Sequence, residues 1–444
     1  MKRQLFGTDG IRGRAFEPPL DENTVRRLGF TLARLMTGDG GPSNILLAGD
    51  TRRSTESLAR WLGSGIQTGG GQVTWGGVLP TPAVSHLLRG GNWTAGVVIS
   101  ASHNPAQDNG IKVLTRSGEK VTQRVEQEIE INLEKASVPA EIDLPRLSTG
   151  LLTPYRRSLM DSVGNERPLA GLKLVLDAAH GAASGLADEM LSELGAEIIS
   201  IASSPNGANI NEGVGAAHPR ALTMAVTENH ADGGLALDGD ADRAILVDEK
   251  GRILDGDDIL LAWARGLRAE GHLHGDRVVA TVMSNFGLEI ALEREGVSLL
   301  RCPVGDRAVW ETMVENNAVL GGEQSGHIIC SHHGVTGDGL LTGIHLLSLA
   351  NSSNRPLSEL SGLERMPQVL LNVKVGKRQP FEDLAEVQTV LARTEEKLRG
   401  CGRVLLRYSG TEPLARVMLE GENDTEIQEL AEELAEAIRR ALPE

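Results

Sequence analysis

Three aspartates stand at alternate positions in L-A-L-D-G-D-A-D-R, at Asp238, Asp240 and Asp242, with apolar runs on both sides. Alternation by itself reads equally well as one solvated face of a strand. The flanks decide, because they put three carboxylates at the mouth of a buried strand, where their mutual repulsion calls for a cation. A compact group of hard oxygen ligands suits Mg²⁺, which keeps its other positions for water or phosphate oxygens. A calcium EF-hand is the rival reading, since Glu249 falls twelfth in a loop starting at Asp238. Arg243 occupies the sixth position, where that loop needs glycine, and the flanks read as strands, so the EF-hand is set aside.

Four other stretches carry chemically useful groups. In A-G-V-V-I-S-A-S-H-N-P an apolar run gives way to Ser102, His103 and Asn104, and Lys112 follows in N-G-I-K-V. In L-L-R-Y-S-G-T-E-P-L-A-R, Arg407, Ser409, Gly410 and Thr411 are the parts of a phosphate cradle, with Arg416 a further contact; the bland alternative is a turn closing a hairpin. In L-G-G-E-Q-S-G-H, Glu323 and Ser325 suit the vicinal hydroxyls of a sugar, although a turn with a satisfied His327 is the commoner meaning of such a stretch. Arg12 in F-G-T-D-G-I-R-G and Arg52 and Arg53 in G-D-T-R-R-S-T sit in glycine-rich loops that are usually solvated turns. No G-x-x-x-x-G-K-[ST] is present, so a P-loop nucleotide site has no support.

These loops need elements to hold them. Apolar, β-rich runs such as S-N-I-L-L-A-G-D, K-L-V-L-D-A-A-H-G and D-R-V-V-A-T-V-M-S-N alternate with segments of three-and-four spacing such as E-N-T-V-R-R-L-G-F-T-L-A-R-L-M and G-L-E-I-A-L-E-R-E-G. That alternation predicts parallel sheets covered by crossover helices, with functional loops at the carboxyl ends of strands. Boundaries are expected near residues 152, 251 and 367, giving an α/β domain at 1–152 with the serine loop and a second at 153–251 with the aspartates. A third, 252–367, would carry the glutamate loop, and a smaller α+β domain at 368–444 the arginine loop. Its closing helix should start from an aspartate or threonine in D-T-E-I-Q.

Composition narrows the partners. The 444 residues carry 60 acidic and 44 basic side chains, a formal charge of -16 that repels nucleic acid and anionic membrane. Aromatics make up 3%, too few for base-stacking platforms. Three cysteines without a C-x-x-C pair argue against a disulfide framework or structural zinc. The start M-K-R-Q-L-F-G has no apolar signal segment and no apolar run reaches membrane-spanning length, so a cytoplasmic protein is expected.

Together and in order, S-A-S-H-N-P, D-G-D-A-D-R, G-E-Q-S-G-H and R-Y-S-G-T-E-P resemble the motif set of the α-D-phosphohexomutase superfamily, over essentially the whole chain. L-F-G-T-D-G-I-R-G, V-M-S-N-F-G and P-V-G-D-R resemble its hexosamine-specific branch most. The resemblance implies three similar α/β domains with mixed or parallel sheets plus a smaller C-terminal α+β domain around a central cleft. It implies an isomerase, an intramolecular phosphotransferase interconverting glucosamine 6-phosphate and glucosamine 1-phosphate for amino-sugar and peptidoglycan-precursor synthesis. Phosphate would move through phosphorylated Ser102 and glucosamine 1,6-bisphosphate as intermediate and activator. Asp238, Asp240, Asp242 and the Ser102 oxygen would hold Mg²⁺, while Glu323, Ser325, His327 and Arg243 would bind the sugar. Arg407, Ser409, Gly410, Thr411 and Arg416 would bind the phosphate that is not reacting, and Arg12, His103 and Lys112 would line the reacting centre; on chemical grounds Lys112 and His103 are the groups to test as acid/base partners of the sugar hydroxyl. Expected partners are small-molecule hexosamine phosphates, a second copy in a homodimer and an activating kinase. Three residues depart from the family pattern: Ala241, tolerable unless positive φ is needed there, and Tyr408 and Ala415 in the arginine loop. Alternatives are glucose or mannose phosphates as substrates, a metal-dependent phosphatase, which would release inorganic phosphate, and a sugar-phosphate sensor, which would need neither the serine nor the aspartates.

Overall fold

The structure is a computed structural model that describes residues 5–7, 9–38, 41–136, 142–164, 166–409 and 413–444. It divides into two compact units, one of residues 1–281 and 300–362 and the other of 282–299 and 363–444.

In the first unit, β1 (Ile11–Arg14), β2 (Asn44–Gly49), β3 (Gln72–Val78), β4 (Ala95–Ile99) and β5 (Asp108–Thr115) form one sheet in the order β1-β5-β4-β2-β3. β2 runs parallel to β3 and β4, whereas β5 is antiparallel to both β4 and β1. A second sheet contains β6 (Lys173–Asp177), β7 (Glu197–Ile201), β8 (Gly233–Leu237), β9 (Ala244–Asp248) and β10 (Ile253–Leu254), ordered β10-β9-β8-β6-β7. β11 (Arg277–Thr281), β12 (Ser298–Cys302), β13 (Leu320–Gly322) and β14 (Ile328–Cys330) form a third, ordered β12-β11-β13-β14. Counting from β2, β6 and β11, with β1 and β10 as added edge strands, the same plan recurs in all three: the first strand lies between the second and third, and the fourth returns beside the third. These are three similar α/β domains with mixed sheets.

The fourth strand is antiparallel for a physical reason. A parallel return needs a crossover of a dozen or more residues, whereas β4–β5, β8–β9 and β13–β14 are joined by loops too short for one. The expectation of parallel sheets therefore holds for the first three strands of the first two repeats and fails at the fourth. Each short loop carries one motif: Ser102 after β4, the aspartates after β8, Glu323 and Ser325 after β13.

Close packing holds the frame. Helix Glu22–Leu35, capped by the Asp21 carboxylate on the Thr24 N–H, crosses helix Thr55–Thr68 backbone against backbone. A Cβ on Gly65 would lie 2.0 Å from the Arg26 carbonyl oxygen, so the site requires glycine. Among the described residues, no helix is long and apolar enough to cross a membrane.

The second unit holds β15 (Gln368–Lys374), β16 (Gly402–Tyr408) and β17 (Leu414–Gly421) in an antiparallel sheet ordered β15-β17-β16. Helices Ala385–Lys397 and Asp424–Ala441 belong to it, with Val373, Val387, Val417, Leu430 and Leu434 in its core. The last helix is capped by Asn423, one residue before the expected start, whose side chain accepts from the Thr425 and Glu426 N–H groups. Helix Phe286–Arg294 also lies in this unit, where Asn285 donates to the Met366 carbonyl (3.0 Å) and to Glu420 (3.1 Å).

One buried contact ties helix Leu152–Ser162 to the loop before helix Gly339–Ser352. The Tyr155 hydroxyl lies 2.9 and 3.0 Å from the two Asp338 carboxylate oxygens, and Asp338 caps the second helix through the Leu341 N–H. Burial raises the Asp338 carboxyl to about 6, against the hydrogen bonds it accepts. A folded-state value above the ordinary 3.8 means that its stabilising contribution is full below pH 4 and is lost as pH rises through 6. The stability of the wild type relative to Asp338→Asn should therefore fall between pH 4 and pH 6, by about 3 kcal/mol at most, and level off above. Urea denaturation across that range reads it; a relative stability that climbs with pH would show the carboxylate is held low instead.

Candidate active site

The loop after β4 presents its serine in an unusual backbone state. Ser102 has φ 52°, in the left-handed region, and is 1% exposed. Its N–H donates to Ser100 Oγ at 2.9 Å, and its own Oγ donates to Asp238 Oδ2 at 2.6 Å, with His103 Nδ1 3.2 Å away. The serine of one repeat thus meets the aspartate loop of the next.

Asp238, Asp240 and Asp242 are buried, and one oxygen from each lies within 4.8 Å of the others. Asp240 Oδ2 accepts from Thr81 Oγ1 (2.6 Å) and Lys112 Nζ (2.7 Å); Asp242 Oδ2 accepts from Lys112 Nζ at 3.1 Å. Among the described residues, Asp240 Oδ1 and Asp242 Oδ1 are buried with no hydrogen-bond partner, although Arg243 Nε comes within 3.9 Å of the latter. Two orphaned anionic oxygens beside a third carboxylate are the donor set of a hard divalent cation, so these residues fit one. Ala241, between two of the ligands, has φ 58°: its position does need positive φ, and alanine bears a strain of roughly 1 kcal/mol that glycine would not.

Electrostatics divide the trio. Burial, then Asp242 and Asp240, pushes the Asp238 carboxyl well above its usual range. Burial also works against Asp242, but Lys112 and His327 outweigh it and hold that carboxyl well below. Lys112 feels the same contest: burial opposes its charge, yet Asp240, Asp242 and Asp9 keep its pKa well above normal. A lysine so placed keeps its proton and acts as a fixed positive charge.

Further groups extend this network. Asp9 pairs with Lys112 at 3.4 Å and with Arg12 and Lys120, and Lys120 pairs in turn with Asp306. Arg12 Nη1 donates to Asn104 Oδ1 at 3.2 Å. His103 is driven down to about 4 by burial, then Arg243 and Arg12, so it is neutral at pH 7. His327 is 3% exposed; the Gly337 N–H donates to its Nε2 at 3.0 Å, which puts the ring proton on Nδ1, 3.6 Å from Asp242 Oδ1.

The loop after β13 is clipped to the aspartate hairpin, since the Ala244 N–H donates to the Gly326 carbonyl at 3.0 Å. Glu323 Oε1 accepts from the Gly305 N–H at 3.1 Å, and Ser325 is exposed. A cavity of about 270 Å³ is lined by Ser325, Gln324, Arg243, His103 and Asp255, so the loops after β4 and β13 face one space. In the second unit, Arg407 and Arg416 stand directly opposite each other on β16 and β17. Burial and then Arg416 lower the Arg407 pKa, a like-charge arrangement that an anion would relieve. Ser409 is buried beside them, its N–H on the Leu414 carbonyl at 2.8 Å. Gly410 and Thr411 lie outside the described residues.

Sequence reading passed over several participants. Arg52, in a loop expected to be solvated, is 2% exposed and donates into the serine loop. Asp9 and Asp306 stood in the quoted F-G-T-D-G and P-V-G-D-R stretches without being singled out, and Thr81, Lys120 and Asn211 had no local signal at all.

Four descriptions of phosphoglucomutase/phosphomannomutase match the chain in succession: α/β/α domain I at residues 3–139, domain II at 155–251, domain III at 255–366 and the C-terminal domain at 370–437. A phosphoglucosamine mutase of Symbiobacterium thermophilum is 45% identical over 99% of this chain and 99% of its own. One of Solibacter usitatus is 43% identical over the full length of both. A solved phosphoglucomutase/phosphomannomutase family protein of Burkholderia thailandensis shares the fold with a TM-score of 0.81 at 24% identity, covering 100% of this chain and 99% of that one. An Aspergillus fumigatus N-acetylphosphoglucosamine mutase, solved with GlcNAc-6P and magnesium, gives 0.65 at 18% identity over 98% of this chain and 96% of its own.

The orphaned oxygens yield a direct expectation for metal binding. Asp242→Asn should abolish Mn²⁺ binding measured by isothermal titration, and Thr81→Val, which removes one of the two donors that orient Asp240 Oδ2, should weaken it about tenfold. Wild-type affinity in Asp242→Asn would show that the aspartates serve the lysine alone.

Proposed function

The chain belongs to the phosphoglucomutase/phosphomannomutase family and has the isomerase activity of its full-length phosphoglucosamine mutase relatives; from that premise we propose that Ser102 carries the phosphoryl group between O6 and O1 of glucosamine phosphate, through glucosamine 1,6-bisphosphate. The observation that carries the reading is the 2.6 Å contact of Ser102 Oγ with Asp238, inside a buried trio whose other members keep free oxygens.

In the first half of the reaction, the phosphoryl group leaves Ser102 Oγ for the sugar O1, whose proton departs as the new P–O bond forms. The second half reverses this at O6: the phosphoryl group returns to Ser102 Oγ and O6 takes up a proton. His103, with Nδ1 3.2 Å from Ser102 Oγ, is the group placed to accept the proton. Lys112, held charged, takes up negative charge on the moving group, as do Arg12 and Arg243. Asp238, Asp240 and Asp242 hold Mg²⁺, which when bound supplies charge neutralisation at the transferred phosphoryl group.

Glu323, Ser325 and His327 grip the sugar, and because the bisphosphate must be used in both orientations, that grip accepts either face. Arg407, Ser409, Gly410, Thr411 and Arg416 hold the phosphate that is not being transferred, at O6 in one half-reaction and at O1 in the other. The first phosphoryl group on Ser102 comes from glucosamine 1,6-bisphosphate or from an activating kinase.

Ser102→Ala should lose interconversion of glucosamine 6-phosphate and glucosamine 1-phosphate, followed by ³¹P NMR with Mg²⁺, while its thermal unfolding stays close to that of the wild type. Near-normal turnover in that variant defeats the assignment. Running glucose, mannose and N-acetylglucosamine 6-phosphates alongside tests the substrate: glucosamine phosphate should turn over fastest, and equal rates for all four would remove the specificity.

A further inference from the structure

We propose that Arg52 and Asn211 are positioning residues that clamp the Ser102 turn by its backbone from two different domains, fixing the direction of Ser102 Oγ and shielding its phosphoryl group from water. The inference rests on the reading of Ser102 as the phosphoryl carrier.

The two side chains converge on the same pair of carbonyls. Arg52 Nη2 donates to the Ser102 carbonyl at 3.0 Å and to that of Asn104 at 2.8 Å. Asn211 Nδ2, arriving from the second repeat, donates to the same two oxygens at 2.8 and 2.9 Å. Arg52 Nη1 reaches on to the Asp108 carbonyl at 3.0 Å and to that of Pro105. One guanidinium therefore gathers four carbonyls of the loop, a task for which its rigid fork is suited and a lysine ammonium is not.

Each clamp is itself anchored. Asp50 accepts from Arg52 Nε at 2.9 Å and from Ser100 Oγ at 2.6 Å, and Ser100 Oγ accepts the Ser102 N–H, so a single chain of bonds holds the turn at both its N–H and its carbonyl. Asn211 sits at φ 58°, a backbone state asparagine tolerates, with its N–H on the Ala179 carbonyl at 2.9 Å.

The aspartate loop is keyed into the same place. A Cβ on Gly239 would lie 2.5 Å from the Ser102 carbonyl oxygen and 3.0 Å from Asn211 Nδ2. The backbone between Asp238 and Asp240 thus packs directly on the clamped carbonyl, and the register of serine against aspartates depends on it. Arg52 and Asn211 are 2% and 7% exposed, and their donors are turned onto the loop carbonyls. Ser102 must be found by the phosphoryl group twice per cycle in opposite directions, and its left-handed φ is a state the chain would leave if released.

The clamp predicts a split between binding and turnover. Asn211→Ala and Arg52→Lys should each lower kcat by about 10- to 100-fold with KM within about threefold, because a small misplacement of the reacting atom costs rate and leaves the sugar grip alone. Enzyme labelled with ³²P at Ser102, held without sugar, should lose label as inorganic phosphate several-fold faster in both variants than in the wild type. Circular dichroism and thermal melting establish the folded fraction by which rates are normalised; if Asn211→Ala is recovered unfolded, Arg52→Lys decides. Normalised kcat and label lifetime both within twofold of the wild type overturn the clamp, as does a loss confined to KM. A wild type that takes no label where Ser102→Ala also takes none defeats the carrier reading itself, whereas a labelled wild type with unaffected variants defeats the clamp alone.

Discussion

Three carboxylates buried within 4.8 Å of one another repel strongly, and the surrounding structure is organised around relieving that repulsion. Lys112 answers it from the first sheet, Thr81 and Ser102 hydroxyls donate into it, and His327 approaches from the third repeat. Lys112 and, at 3.9 Å from Asp242, Arg243 set two cations beside three carboxylates. The two oxygens without hydrogen bonds mark where a cation completes the balance.

The threefold repeat explains how such a site can be assembled. Each α/β repeat has the same strand order, and each turns back from its third strand to its fourth through a short loop. Those three loops carry the serine, the aspartates and the glutamate-serine pair. A single architecture is thus used three times with different side chains at the same structural position.

Much of this was legible in the sequence, because each motif is a short local pattern at the end of an apolar run. The spacing of Asp238, Asp240 and Asp242 pointed to metal binding, and the run before Ser102 to a strand leading into a loop. What was not legible is pairwise and long-range. Asn211 and Ser102 are 109 residues apart and meet only through folding, and Lys120 and Asp306 likewise belong to different repeats. Arg52 looked like an ordinary loop arginine because nothing local records that four carbonyls surround it. The antiparallel fourth strands were masked by apolar composition, which is the same for either direction. The bonds from the Asn285 cap of helix Phe286–Arg294 to Met366 and Glu420 are likewise long-range and leave no local trace.

On the mechanism proposed for this site, the phosphoryl group passes through the Ser102 oxygen. Rapid-quench mixing of enzyme carrying ³²P on Ser102 with unlabelled glucosamine 6-phosphate, followed over one turnover, reads that passage. Label should leave the protein and appear first in glucosamine 1,6-bisphosphate, at a rate no slower than kcat. Product forming while the label stays on the protein, or label released only as inorganic phosphate, would contradict it.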